Sequence, residues 1–277
     1  MASPSFPGLP LPWSDAYSTY HTQFIALALQ SPELRQFFVA GTQLPLNYGT
    51  GMDERCIEYP WFFARSGPGV RVILDAGSAL NRPEVIAHPF WNDKKLTVLT
   101  LAPDEHCFWQ RGISYHYGDL RDLPFRDGHF DEVACISTLE HIGMDNAFYT
   151  GRNDGAGSKP LDFKIALQEM RRVLRPGGRL LLTVPFGKYQ KFNEFQQFDT
   201  EMLCAAAEAF APSLREERYY CYTSSGWQLA EDPSACKNLE YSDFAIQSAW
   251  GADPARLGRE PDGAAAARCV ACCIWIV

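Results

Sequence analysis

The stretch Val72-Ile-Leu-Asp-Ala-Gly-Ser-Ala-Leu-Asn81 decides the fold of this 277-residue chain. The run Val70 to Asp75 is short, apolar and β-branched, which marks a buried strand. Asp75-Ala-Gly77 closes it and a helix is expected to follow. A strand ending in Asp-x-Gly and turning into a helix offers exposed N–H groups to a ligand, and Gly77 lets the backbone come close. Asp75 either accepts from an ammonium group or orders the turn through an Asx bond.

Working outward, the same kind of run recurs at Leu96 to Leu101, Ile113 to Tyr117, Phe130 to Ser137 and Arg179 to Val184. The runs lie roughly 20 to 45 residues apart with helical material between several of them, which argues for a parallel sheet with right-handed crossovers. Pro176-Gly177-Gly178 ends a helix over Asp162 to Leu174 and introduces the fifth strand. A helix over Thr200 to Phe210, capped by Asp199 or Thr200, precedes two strand-like runs at Arg218 to Tyr222 and Val270 to Val277. No helix pattern follows the last run, so a closing antiparallel strand is expected. Upstream, Tyr17 to Phe38 has helical spacing broken at Ser31-Pro32, giving two helices with Ser31 as the second cap. Tyr48 to Trp61 is polar and aromatic, and reads as a loop leading into a short helix.

Composition narrows the function. Apolar residues make up 46 % and charged residues 21 %, as in an ordinary folded globule. A net charge of −8 without a basic stripe argues against nucleic acid as partner. Arg171, Arg172 and Arg175 are the solvated last turns of one helix. Met1 to Trp13 lacks the basic and apolar regions of a signal peptide. The longest apolar run, Cys269 to Val277, is far short of the roughly 20 residues that span a bilayer. No membrane association and a cytoplasmic location are therefore expected, with the nine cysteines reduced and mostly buried. Cys269, Cys272 and Cys273 invite a zinc reading, but no second pair sits at ligand spacing.

Three further passages stand in order: Gly118-Asp-Leu-Arg-Asp-Leu-Pro-Phe-Arg-Asp-Gly-His-Phe-Asp131, Ser137-Thr-Leu-Glu-His141, and Leu167-Gln-Glu-Met-Arg-Arg-Val-Leu-Arg-Pro-Gly-Gly-Arg-Leu-Leu-Leu-Thr-Val-Pro185. Together with the first strand and its loop they resemble the class I S-adenosylmethionine-dependent methyltransferases of small-molecule type, over residues 70 to 211. The resemblance implies a doubly wound, mostly parallel seven-stranded α/β sheet with an antiparallel last strand. Residues 1–69 become an N-terminal helical cap and lid, and residues 70–277 a Rossmann-like methyltransferase domain.

By position, the resemblance gives S-adenosyl-L-methionine as cofactor. It assigns Asp75, Gly77 and Ser78 to the methionine part, and Asp119 and Leu120 to the adenine. Ser137 and Thr138 lie where the fourth strand opens onto cofactor and substrate. Two departures stand out. The later glycines of the first loop are replaced by Ser78, Ala79, Leu80 and Asn81. The acid usual after the second strand is replaced by Thr100, Leu101 and Ala102, with Asn81 or Glu84 as candidates to compensate.

Methyl transfer asks mainly for alignment, plus a base where the acceptor is a hydroxyl. His141, at the carboxyl edge of the sheet, is the expected base, or else it orders its loop. Glu140 is the expected partner that orients it, or with Asp145 part of a mixed metal site; no metal is the preferred reading. Arg55 is expected to pair with the cofactor carboxylate, with Tyr59 or Trp61 packing on it. The Gly-rich segment Asp145 to Pro160 is a candidate closing loop. Lys188, Lys191, Gln196 and Gln197, set among aromatics, would suit a polyhydroxylated acceptor. The reading is therefore O-methylation of a sugar or natural-product hydroxyl. The alternative is a catalytically degraded cofactor-binding or scaffold protein of the same fold. A nicotinamide-dependent reductase lacks its G-x-G-x-x-G. The N-terminal helices and the last strand are compatible with a homodimer.

Overall fold

The apolar runs become the strands of one sheet in a computed structural model that describes residues 9–151, 158–242 and 260–277. In chain order the larger elements are α1 (Asp15–Gln30), α2 (Pro32–Ala40), α3 (Arg55–Arg65), β1 (Val72–Ala76), α4 (Pro83–Ile86), β2 (Lys95–Thr100), β3 (Ser114–Tyr117), β4 (Phe130–Ile136), α5 (Ala147–Thr150), α6 (Phe163–Val173) and β5 (Leu174–Pro185). There follow β6 (Gln190–Lys191), β7 (Gln196–Gln197), α7 (Thr200–Phe210), β8 (Leu214–Thr223), β9 (Gly226–Leu229) and β10 (Cys269–Ile276). The main sheet runs β3-β2-β1-β4-β5-β10-β8-β9. β1 lies between β2 and β4 and is parallel to both. β10 enters antiparallel between β5 and β8, as the closing run predicts.

The sheet has eight strands, not seven. The extra one is β9, which folds back on β8 because Trp227 needs burial and finds it. Its indole Nε1–H donates to the Met52 carbonyl at 3.1 Å and its backbone N–H to the Tyr48 carbonyl at 2.8 Å.

Helices cover both faces. Ile25, Phe38, Trp61 and Ile86 of α1–α4 share one cluster with Ile73, Val98, Tyr220 and Cys272 of the sheet. On the other face Leu167, Met170, Ala206 and Phe210 of α6 and α7 pack with Leu74, Val133, Leu180 and Trp275. The N-terminal helices α1, α2 and α3 contribute to the core on one face of the sheet. The expected caps form: Ser31 Oγ accepts from Leu34 N–H at 3.1 Å and Asp199 Oδ1 from Met202 N–H at 2.9 Å.

The helix after β1 is a single turn, because His88-Pro89 redirects the chain into a 3-10 turn at Pro89–Asp93. Cys221 and Cys236 are joined as a disulfide, so the cysteines are not all reduced. Cys272 and Cys273 alternate onto opposite faces of β10, which removes the Cys269-Cys272-Cys273 ligand set. Residues 152–157 of the candidate closing loop and 1–8 of the leading segment lie outside the described residues.

Candidate active site

A cavity of about 960 Å³ opens over the carboxyl ends of β1, β2 and β4. This is where an open α/β sheet binds ligands, because the strand order reverses there. Of the twelve residues the sequence assigns to catalysis or cofactor, ten line it: Gly77, Ser78, Thr100, Leu101, Asp119, Leu120, Ser137, Thr138, Arg55 and His141. Asp75 and Glu140 do not; both are buried behind its wall.

Asp75 therefore acts on the loop rather than reaching into the cavity. Its Oδ2 accepts from Leu80 N–H at 3.0 Å, while its Oδ1 has no hydrogen-bond partner. Burial raises its pKa to about 7. Gly77 stands at φ +115°, and a Cβ there would collide with the Thr138 side chain. The loop thus passes as close to the end of β4 as a backbone can.

The acid expected at the end of β2 arrives four residues late. Asp104 lines the cavity, its Oδ2 accepting from Ser78 Oγ at 3.1 Å and its Oδ1 from Arg82 Nη1 at 3.2 Å. Burial alone would raise its pKa, but Arg82 and Ser78 hold it below the ordinary carboxylate value. Asn81 does not take this place. It is fully buried, donating to the His106 carbonyl at 2.8 Å and accepting from Tyr115 Oη at 2.8 Å. Glu84 is not on the wall either. Sequence reading missed Asp104 because it looked for the acid in the strand; the signal was the turn Ala102-Pro103-Asp104.

At the next strand end, Asp119 is already engaged. Arg121 grips it through Nε and Nη2, at 3.0 and 2.6 Å, and reaches Asp162 at 2.5 Å with Nη1. Burial would raise the Asp119 pKa, yet these bonds hold it below its ordinary value.

His141 sits in a 3-10 turn after β4. Its Nδ1 lies 2.7 Å from the Glu194 carbonyl, which can only accept, so Nδ1 carries the proton. Nε2 is left as the acceptor nitrogen of a neutral ring. Burial lowers the ring's pKa to about 4. Tyr149 meets the ring edge-on at 5.5 Å between centroids. The orienting group is thus the Glu194 carbonyl and not Glu140. The Glu140 Oε2 has no hydrogen-bond partner, and burial raises its pKa well above the ordinary value. Among the described residues, the one group of side chains close enough to share a metal is Cys221, Cys236 and Cys269, two of them in the disulfide. Glu140, His141 and Asp145 do not form such a group.

Arg55 opens α3 and faces the cavity, paired with Glu58. Glu58 escaped sequence reading because a fully buried Glu looks, in a polar segment, like an exposed one. Tyr59 and Trp61 are buried core residues; Tyr59 Oη donates to the Ala79 carbonyl at 2.8 Å, which braces the first loop from below. Lys191 lines the cavity, whereas Lys188 pairs with Glu240 on the surface. Gln196 and Gln197 are fully buried and their Nε2 groups bond the carbonyls of Pro160 and Leu239 at 2.7 and 2.8 Å, so neither reaches an acceptor.

Comparison with known proteins fits this geometry. Residues 95–182 match a family model described as a methyltransferase domain. The match starts with β2 and ends within β5, so β1 and its altered loop lie outside it. A demethylmenaquinone methyltransferase of Mycobacterium marinum is 31 % identical over 119 residues, covering 43 % of this chain and 42 % of its own. An O-methyltransferase of Penicillium expansum is 28 % identical over 102 residues, covering 37 % of this chain and 28 % of its own. This chain thus spans well under half the length of these curated relatives. Among solved structures, the Burkholderia thailandensis 1,6-didemethyltoxoflavin-N1-methyltransferase, crystallised with S-adenosylhomocysteine, is 18 % identical. It covers 77 % of this chain and 86 % of its own at a TM-score of 0.43.

Proposed function

We propose that this chain is a class I S-adenosylmethionine-dependent methyltransferase that methylates a hydroxyl of a small natural-product acceptor. The observation that carries the hydroxyl assignment is the His141 ring: neutral, oriented through Nδ1, with Nε2 left to accept a proton at the cavity wall.

The cavity residues fit the cofactor. The closed approach of Gly77 to Thr138 forms a cradle that a Cβ would fill. Asp75 fixes that loop through Leu80 N–H, and its remaining oxygen is an unused acceptor. Asp104, in place of the missing acid, offers a carboxylate for vicinal hydroxyls beside Ser78 and Thr100. Leu101 and Leu120 supply apolar wall for a purine, and Ser137 and Thr138 close the floor at β4. Asp119 takes up an exocyclic amine once Arg121 shares it. Arg55 presents its guanidinium to a carboxylate.

When bound, S-adenosylmethionine supplies a methyl group on a positively charged sulfur. His141 Nε2 would take the acceptor's hydroxyl proton, and the imidazolium so formed would be held by the Glu194 carbonyl on Nδ1. The low basicity of the buried ring suits an acidic hydroxyl, such as a phenol, better than a sugar hydroxyl. An O-methyltransferase among the relatives supports a hydroxyl acceptor. Tyr149, Phe192 and Lys191 form the wall on this side, suited to a flat, partly anionic ring.

The test is methyl transfer from labelled S-adenosylmethionine to matched panels of phenols, sugars and amines. Product on phenols, lost in His141→Gln, is the expected outcome. Product on amines with His141→Gln fully active would overturn the hydroxyl assignment. The scaffold alternative draws on the Arg121 grip on Asp119, and it predicts cofactor binding without product on any panel.

A further inference from the structure

Glu58 is the least expected group near the cavity, a fully buried carboxylate in the middle of α3. Its Oε1 accepts from Ser137 Oγ and Thr183 Oγ1, both at 2.6 Å. Its Oε2 pairs with Arg55 Nη1. One side chain thereby joins α3, the end of β4 and the last part of β5. Ser137 needs such a tie, because it holds φ +36°, a left-handed conformation uncommon for a residue other than glycine.

Arg55 needs it for another reason. Asp53, Glu54 and Glu140 are also buried, and their charges act on Arg55. A cation among four buried carboxyls turns to whichever is ionised and correctly placed. Glu58, already oriented by two hydroxyl donors, selects the direction. Tyr59 supports the choice from beneath, with the guanidinium carbon 5.9 Å from its ring centroid. One edge of Arg55 is thus committed to Glu58, and the side chain still reaches the cavity wall.

We propose that Glu58 is a positioning residue: it aims Arg55 so that the guanidinium receives the α-carboxylate of an amino-acid group bound in the cavity. The proposal rests on the cofactor reading above. Replacing Glu58 by a neutral amide frees Arg55 to swing toward Glu54 or Glu140, and only ligands carrying that carboxylate lose affinity.

The experiment compares two ligands on the full chain by calorimetry, S-adenosylhomocysteine and 5′-methylthioadenosine. The second keeps the thioether nucleoside but lacks the amino-acid group. In Glu58→Gln, S-adenosylhomocysteine is expected to bind tenfold or more weakly, the size of a lost charge-assisted contact, and methylthioadenosine within twofold of the parent. Thr183→Val, which removes one of the hydroxyls that orient Glu58 at constant shape, is expected to give the same selective loss at severalfold size. It decides the matter should Glu58→Gln not fold. Equal losses for both ligands, or none for either, would overturn the role of Glu58. A folded parent chain that binds neither ligand would instead overturn the cofactor reading on which it rests.

Discussion

Gly77→Ala perturbs the point where the first loop passes the end of β4. Two costs can be worked from the structure. At φ +115° an alanine is strained, by about 1–3 kcal/mol for a residue held in such a region. Its Cβ would also lie 2.7 Å from Thr138 Cβ and closer still to Thr138 Oγ1 and Cγ2. Thr138 cannot simply rotate away, because its Oγ1 donates to the Ile136 carbonyl at 2.9 Å. Overpacking of this kind costs about 1–3 kcal/mol. The sum, about 2–6 kcal/mol, appears as lost stability if the loop stays, or as cofactor binding weaker by roughly thirtyfold to ten-thousandfold if it moves. Chemical denaturation and calorimetry with S-adenosylhomocysteine read the two. In a Thr138→Gly background the clash is gone and the strain remains, so the penalty of Gly77→Ala is expected to fall by about half. A Gly77→Ala variant with parental stability and parental affinity would refute the reasoning, and so would an unchanged penalty in the double variant.

Three other outcomes follow from the site. Asp75 ionises at about 7 in the folded chain against 3.8 for a free group, so its contribution to stability is full below about pH 4 and is lost as pH rises through 7. Asp75→Asn should flatten that decline, measured as the denaturation midpoint at pH 5 against pH 8; parallel declines in both proteins would count against a buried, neutral carboxyl. His141 loses its proton-accepting form only as pH falls through about 4, so methyl-transfer kcat should stay flat from pH 8 to about pH 5. His141→Gln should lower kcat by about 10²–10⁴, and a titration near pH 6.5 in the parent would contradict the burial argument. The Cys221–Cys236 bridge closes a 15-residue separation and should contribute about 3 kcal/mol. A reductant should lower the melting temperature of the parent but not of Cys236→Ser.

The sheet was legible because its inner parallel strands are apolar runs between turn residues, as at Phe130–Ile136, where every residue is buried. Capping chemistry is local, so Ser31 and Asp199 were legible too. β9 was not, since Gly226–Leu229 is short and carries no alternation; its formation depends on where Trp227 is buried, a tertiary fact. α3 misled for a related reason. Glu54, Arg55 and Glu58 give its start the polarity of a surface helix, yet its residues 56–64 are all buried and Arg55 pairs with Glu58. Nine of the ten cavity residues followed from their places at or just beyond strand ends, which the chain order fixes; Arg55 came from the segment before the first strand. Asp104 and Glu194 act from loops, where position along the chain says little about position in space. Gln196 and Gln197 have the composition of a sugar site, but the Pro160 and Leu239 carbonyls had first use of their donors.

The central claim is that the cavity holds S-adenosylmethionine, and direct titration of the purified chain tests it. Calorimetry with S-adenosylmethionine and S-adenosylhomocysteine, with NAD as control, should show saturable binding of the sulfonium pair and none of the dinucleotide. Asp104→Ala and Gly77→Ala should each weaken that binding. A folded, cofactor-free sample that takes up neither member of the pair, or one that prefers NAD, would contradict the account.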